Sequence, residues 1–69
     1  MNFVFTNHAK QRMIEREIDL NKIKETILTP DYTISKETKF EAYKKFENKT
    51  LKVVYTKGKF IKIITLIWK

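Results

Sequence analysis

Cysteine is absent from this chain, and glycine, proline, tryptophan and histidine each occur once. Without cysteine the chain can form neither a disulfide framework nor a thiolate metal site. A single histidine and the lack of an acidic cluster also argue against a metal centre of any kind. We therefore expect no metal and no cofactor.

Long apolar runs are missing as well, because lysines interrupt the hydrophobic stretches. We expect no membrane-spanning segment, and no charged, apolar and small-residue succession typical of a signal peptide opens the chain. With 69 residues the chain forms a single small domain, residues 1–69, with a limited core. These features predict a cytoplasmic protein that does not bind membranes.

Positive charge is abundant but unevenly placed, with a formal net charge of +7. Residues 1–43 carry seven cationic and seven anionic side chains, whereas residues 44–69 carry eight lysines and one acid, Glu47. This surplus favours a polyanionic partner, with nucleic acid preferred to membrane because no basic amphipathic helix is present. Lysines that only keep the edges of a sheet soluble are the alternative explanation. The candidate RNA contacts are Lys44, Lys45 and Lys52.

Two helices are predicted in the first half of the chain. Thr6 or Asn7 can cap the first helix, which ends near Glu17. Asp19 is typical of the N-cap of a second helix, which ends before Pro30 because the residue preceding a proline is displaced from helical conformation. Apolar residues at helical spacing predict the buried face of this second helix: Leu20, Ile23, Ile27 and Leu28.

Beyond the proline the apolar pattern changes from helical to alternating, which is typical of strands. Strands separated by polar turns are predicted over residues 32–34, 39–46, 51–56 and 60–68. The earlier apolar run, residues 3–5, is either another strand or a hydrophobic anchor under the first helix. The predicted fold is α+β, with two N-terminal helices packed on a three- to four-stranded antiparallel sheet.

The last predicted strand, residues 60–68, is almost continuously apolar, which predicts a central strand covered on both faces. Strict alternation assigns one face to Phe60, Ile64, Leu66 and Trp68 and the other to Ile61, Ile63 and Ile67. Lys62 interrupts this strand. A lysine at such a position either extends to solvent or faces a functional cleft, so Lys62 is a candidate site residue.

One candidate site lies on the first helix. His8, Arg12 and Arg16 are spaced four residues apart and therefore form one stripe of that helix. Only two of the 15 cationic residues are arginines, and both lie here, beside the only histidine. Arginine binds phosphate through a planar, bidentate guanidinium, and histidine is the common general base near neutral pH. The stripe predicts a site that acts on phosphate groups; an ordinary solvated helix face is the alternative.

The first eighteen residues also resemble the signature of a family of small bacterial and archaeal proteins, the domain of unknown function (4258) family. Its members open with the pattern F-T-x-H-A-x-x-R-M-x-E-R-x-I, which is matched here by Phe5, Thr6, His8, Ala9, Arg12, Met13, Glu15, Arg16 and Ile18. A helix that ends near Pro-Asp follows, as at Pro30-Asp31, and then a β-rich half. Members often have glycine, which readily provides a left-handed helix end, where this chain has Glu17.

That family is similar to the superfamily that contains barnase, EndoU, colicin-type and RelE-type ribonucleases, many of which are toxins of toxin–antitoxin pairs. The resemblance implies a RelE- or barnase-like fold with His8, Arg12 and Arg16 as active-site residues. It implies a metal-independent endoribonuclease that acts on RNA, either free or bound to the ribosome. It also implies an antitoxin protein as a partner.

Metal-free RNA cleavage requires a base for the 2′-hydroxyl, cations for the phosphorane and an acid for the 5′-oxygen. His8 can serve as base or acid, while Arg12 and Arg16 can hold the phosphate. Three candidates remain open for the second acid–base group: Lys62, Tyr43 and Tyr55. The alternatives to catalysis are a non-catalytic RNA-binding module that uses the basic surface and a small structural subunit whose lysines only keep it soluble.

Overall fold

A computed structural model describes residues 2–69 and shows one strand, then two helices, then four strands. The elements are β1 (Phe3–Phe5), α1 (Asn7–Glu15), α2 (Leu20–Leu28), β2 (Tyr32–Lys36), β3 (Lys39–Phe46), β4 (Lys49–Lys57) and β5 (Ile61–Trp68). All five strands form one sheet in the order β1-β5-β4-β3-β2. The neighbours from β2 to β5 are antiparallel, whereas β1 pairs with β5 in parallel.

The predicted sheet is wrong, although the α+β class is correct. A strand precedes the helices, and the sheet has five strands and is mixed, where three or four antiparallel strands on two N-terminal helices were expected. The RelE- or barnase-like fold expected from the resemblance is therefore wrong as well. The error in the number and direction of the strands arises at β1, because a strand of three residues is recognised only when the strand that it pairs with is known. Here Phe3 lies opposite Ile61 and Phe5 opposite Ile63.

Both helices pack on the same face of the sheet. The buried core between the helices and the sheet consists of Ala9, Ile18, Ile23, Ile27, Ala42, Leu51, Val53, Tyr55, Ile61, Ile63 and Leu66. Burial of Ile23 and Ile27 confirms the predicted helix face in part. Leu20 and Leu28, however, are 42% and 57% exposed, because a short helix lying on a sheet buries only a narrow stripe of its surface.

A β-bulge rearranges the faces of β5. The register with β4 shifts between Val54 and Tyr55, so that Ile64 has no residue opposite it. The residues of β5 on the helix-covered face are consequently Ile61, Ile63, Leu66 and Trp68, since their cross-strand partners belong to the helix-covered face of β4. Strict alternation along β5 is therefore wrong. The expected cover on both faces is also wrong, since Ile67 on the opposite face is 38% exposed.

Thr6 joins the start of α1 to this bulge. Its backbone N–H donates to the Ile63 carbonyl at 3.1 Å, and its hydroxyl donates to the Ile64 carbonyl at 2.9 Å. The same hydroxyl oxygen accepts a hydrogen bond from the Ala9 N–H at 3.1 Å and caps α1. The first turn of α1, which carries His8, is therefore held against β5.

Glu17 ends α1 in the left-handed conformation, with φ of 50°. Its N–H donates to the Ile14 carbonyl at 3.3 Å, and the Ile18 N–H donates to the Met13 carbonyl at 2.9 Å. These two bonds define a Schellman motif, in which the left-handed residue is usually glycine. The helix end that glycine favours is thus formed here by a glutamate.

Replacing Glu17 by glycine is expected to raise the free energy of unfolding by about 0.5–1 kcal/mol, because glycine adopts a positive φ without steric cost. Urea unfolding of the two forms measures the difference. Glu15→Gly is the matched control, since Glu15 is the last residue of α1 and glycine is unfavourable within a helix. If Glu17→Gly lowered the free energy of unfolding as much as this control does, the expected cost of the positive φ at Glu17 would be contradicted.

Candidate functional site

His8 and Arg12 are in contact on the outer side of α1. The Arg12 Nε donates to the His8 Nε2 across 3.4 Å, a long hydrogen bond between exposed side chains. The contact joins the imidazole and the guanidinium directly, one helical turn apart. Among residues 2–69 no carboxylate forms an ion pair with Arg12. The guanidinium is therefore available to an anionic ligand.

Arg16 lies one turn further along, at the C-terminal cap of α1. Its side chain lines a groove of about 420 Å³ that also contains Trp68 at the end of β5. The Nε of Arg16 is shielded from solvent and has no hydrogen-bond partner among the described residues. The predicted stripe therefore has two parts, an exposed His8–Arg12 pair and a groove that contains Arg16.

Lys62 does not lie with these residues. It stands between Ile61 and Ile63, which are buried under the helices, so its exposed side chain lies on the opposite face of the sheet. Tyr43 is buried on that opposite face, whereas Tyr55 is buried on the helix side, where burial raises its pKa. None of the three candidates for a second acid–base group is shown in contact with His8.

The three predicted RNA contacts are divided between the two faces. Lys44 lies on the helix side, where its Nζ donates to the Thr29 carbonyl at 2.9 Å and lies 3.9 Å from Glu25 Oε2. It thereby satisfies the C-terminal end of α2, where a cation is favourable. Lys45 and Lys52 lie on the open face of the sheet. Of the three predicted RNA contacts, only Lys45 and Lys52 therefore share one face of the sheet.

A cluster on the open face was not recognised in the sequence. Tyr32 and Tyr43 stack with ring centroids 4.5 Å apart, and the Tyr43 hydroxyl donates to Glu41 Oε1 at 3.1 Å. The ammonium groups of Lys36 and Lys52 lie 3.6 and 3.8 Å from the same carboxylate. The alternation of β3 could have placed Glu41 and Tyr43 together. Their partners on β2 and β4, however, depend on strand pairing.

The charges in this cluster stabilise the ionised carboxylate. Burial by itself raises the pKa of Glu41, but the hydrogen bond from Tyr43 and the charges of Lys52 and Lys36 outweigh it and lower that pKa. Burial, together with the hydrogen bond to Glu41, raises the pKa of Tyr43. At neutral pH Glu41 is therefore ionised and Tyr43 is a neutral phenol.

A family model described as domain of unknown function (DUF4258) matches residues 5–68. The chain belongs to this family. The match extends from the residue before the cap of α1 to Trp68, so it includes the His8–Arg12 pair, the groove and the open sheet face. No curated protein and no solved structure matched the chain.

The match confirms, at the level of the DUF4258 family, the resemblance carried by the first eighteen residues. Glu17, which stands where family members often have glycine, ends α1 in the left-handed conformation that glycine readily adopts. Within residues 2–69 of this DUF4258 domain, neither nine-residue helix is long enough to cross a membrane. Over the same residues, no three histidine or acidic side chains are grouped as a metal site would require.

Proposed function

We propose that this DUF4258 domain is a small metal-independent endoribonuclease. The observation that supports the proposal is the contact of His8 with Arg12 on the exposed side of α1. This contact places an imidazole that can accept a proton beside a guanidinium that can bind two phosphate oxygens. The similarity of the DUF4258 family to the superfamily of barnase, EndoU, colicin-type and RelE-type ribonucleases supports the same reaction.

The reaction begins when an RNA phosphate competes with His8 for the Arg12 guanidinium. In this structure the guanidinium donates to His8 Nε2, and an RNA phosphate that attracts it leaves the Nε2 lone pair free. His8 then accepts the proton of the 2′-hydroxyl, and the 2′-oxygen attacks the adjacent phosphorus. Arg12 stabilises the negative charge of the phosphorane. The 5′-oxygen leaves with a proton from solvent, His8 returns its proton to solvent, and a 2′,3′-cyclic phosphate remains.

The charge of the chain supports RNA, free or ribosome-bound, as the substrate. The formal net charge is +7, and residues 44–69 supply the surplus, which favours association with a polyanion. A ribonuclease of this kind acting as a toxin requires an antitoxin protein that neutralises it. A neighbouring gene for a short acidic protein would support this role.

The test is incubation of the purified protein with single-stranded RNA in EDTA, with DNA of the same sequence as the control. We expect cleaved RNA that ends in a 2′,3′-cyclic phosphate and intact DNA, because DNA has no 2′-hydroxyl to attack. The observed rate should fall as salt is added, since cations of the protein compete with salt for phosphates. Cleavage of both nucleic acids, or of neither, would contradict the proposal.

The alternative is a non-catalytic RNA-binding module that uses the open sheet face. Tyr32, whose exposed ring stacks on the buried ring of Tyr43, favours it, since exposed aromatic rings and neighbouring lysines bind single-stranded nucleic acid through bases and phosphates. The lysines on that face are Lys36, Lys39, Lys45, Lys52 and Lys62. Salt-dependent binding that is weakened by Lys52→Ala, with no cleavage and no effect of His8→Ala, would establish this alternative.

A further inference from the structure

The groove at the C-terminal end of α1 combines cationic and aromatic side chains. Arg16 and Lys22 contribute from the helical side, and Lys49 from the start of β4. Phe46 and Trp68 contribute the aromatic rings from the ends of β3 and β5. Its volume of about 420 Å³ lies within the range of small-ligand sites, roughly 300–1,000 Å³. The groove is therefore large enough for one nucleotide.

The lysines of the groove lie directly over its aromatic rings. Phe46 and Trp68 meet edge to face, with centroids 6.3 Å apart and an angle of 89° between the ring planes. The Lys22 ammonium is 5.7 Å from the Phe46 centroid and 5.8 Å from that of Trp68. The Lys49 ammonium is 5.7 Å from the Trp68 centroid. Two positive charges and a stacking surface thus occupy one small region.

Arg16 provides a donor that nothing in the described chain uses. Its Nε is shielded from solvent without a hydrogen-bond partner, and it is the only such buried side-chain nitrogen or oxygen in residues 2–69. A buried N–H without an acceptor is unfavourable, and native structures rarely retain one. Glu17 and Glu47 also line the groove, yet neither carboxylate forms an ion pair with Arg16. The Arg16 guanidinium therefore has no anionic partner within residues 2–69.

From these observations we infer that the groove is a subsite for one nucleotide of single-stranded RNA. Phosphate oxygens accept hydrogen bonds from Arg16 and pair with Lys22 and Lys49, while the base stacks on Trp68. This inference rests on the proposed function in taking RNA as the ligand. It extends that function because Arg16 here binds a neighbouring nucleotide, whereas His8 and Arg12 act at the scissile phosphate.

Trp68 is the only tryptophan of the chain, so its fluorescence reports on the groove directly. The probe is a 2′-O-methyl oligouridylate, which retains the ribose and phosphates but cannot be cleaved by 2′-hydroxyl attack. We expect saturable quenching of Trp68 fluorescence, with the same Kd as that from the anisotropy of the labelled probe. Arg16→Gln should raise this Kd about tenfold, because a charge-assisted, bidentate donor is lost.

Lys49→Ala and Lys59→Ala separate local contacts from net charge. Both residues are exposed lysines, but Lys49 lines the groove and Lys59 lies in the turn between β4 and β5. Lys49→Ala is expected to raise the Kd about threefold more than Lys59→Ala at equal ionic strength. Since Lys49 is exposed, this comparison remains valid even if Arg16→Gln fails to fold. Equal effects of the two substitutions would overturn the inference.

A second matched pair of substitutions, at two glutamates, tests the groove through an expected decrease in Kd, whereas the lysine substitutions increase it. Glu47 and Glu37 each begin a two-residue hairpin turn in the left-handed conformation, with φ of 57° and 51°, but only Glu47 lines the groove. Glu47→Gln should lower the Kd about threefold by removing a charge that repels phosphate, whereas Glu37→Gln should change it much less. Equal changes would again overturn the subsite.

The outcomes distinguish the subsite from the proposed ribonuclease activity. Probe binding without any change in Trp68 fluorescence, or with the same Kd for Arg16→Gln as for wild type, overturns the subsite and leaves His8-dependent cleavage possible. Groove-dependent binding by a protein that cleaves no RNA supports the subsite and overturns the ribonuclease. Absence of probe binding at low salt overturns the subsite regardless of cleavage.

Discussion

Replacement of His8 by alanine is expected to slow RNA cleavage by about 10²–10⁴-fold, the usual scale of general acid–base catalysis. The imidazole is exposed and its Nε2 accepts from Arg12, so its removal eliminates the proton acceptor without opening the core. Alanine is also favourable within a helix. Initial rates in EDTA on one RNA substrate measure the effect, and thermal unfolding shows that the variant is folded.

Arg12→Lys is the companion substitution for His8→Ala. It retains the positive charge but removes the planar fork that binds two phosphate oxygens, so we expect a loss of about tenfold or more in rate. The two variants and the wild type should be purified in parallel, because a contaminating nuclease would cleave equally in every sample. Equal cleavage by wild type and His8→Ala, on free and on ribosome-bound RNA, would contradict the catalytic role of His8.

Ile23→Ala is expected to lower the free energy of unfolding by about 2–5 kcal/mol, the range found when a large buried aliphatic side chain is truncated. Ile23 is fully buried and is among the largest such side chains of the core. It packs from α2 against the sheet, where its removal leaves a cavity. A domain of this size has a total stability of roughly 5–10 kcal/mol, so much of it would be lost.

Leu28→Ala is the matched control for Ile23→Ala. It truncates an aliphatic residue of the same helix, but one that is 57% exposed, so the expected change is within about 0.5 kcal/mol. Urea unfolding of the three proteins, with equal m-values, measures both differences. Similar losses for the two variants would contradict the orientation of α2 on the sheet.

Local patterns in the sequence were sufficient to locate the helices and most strands. Of the two candidate caps for α1, Thr6 and Asn7, the structure uses Thr6. Asp19 caps α2 as predicted, and α2 ends two residues before Pro30. The alternation of β3 correctly divided its residues between two faces. These features depend on residues at most four apart, so the amino-acid sequence by itself determines them.

The candidate site was predictable in part for the same reason. His8 and Arg12 are one helical turn apart, and a helix of any orientation brings them together. The motif around them also indicated the family, which the match to residues 5–68 shows. The surroundings of Arg16 were not predictable, because its groove is built by Phe46 and Trp68 from distant strands.

Tertiary structure alone decided the sheet and the separation of its two faces. The pairing of β1 with β5 joins opposite ends of the chain, and the bulge at Ile64 changes which residues of β5 face the helices. Lys62 consequently lies apart from His8, and Lys44 satisfies the end of α2 rather than facing the open surface. Strand pairing is a contact between residues far apart in sequence. Its register and bulges therefore follow from the packing of the whole chain and not from any local pattern.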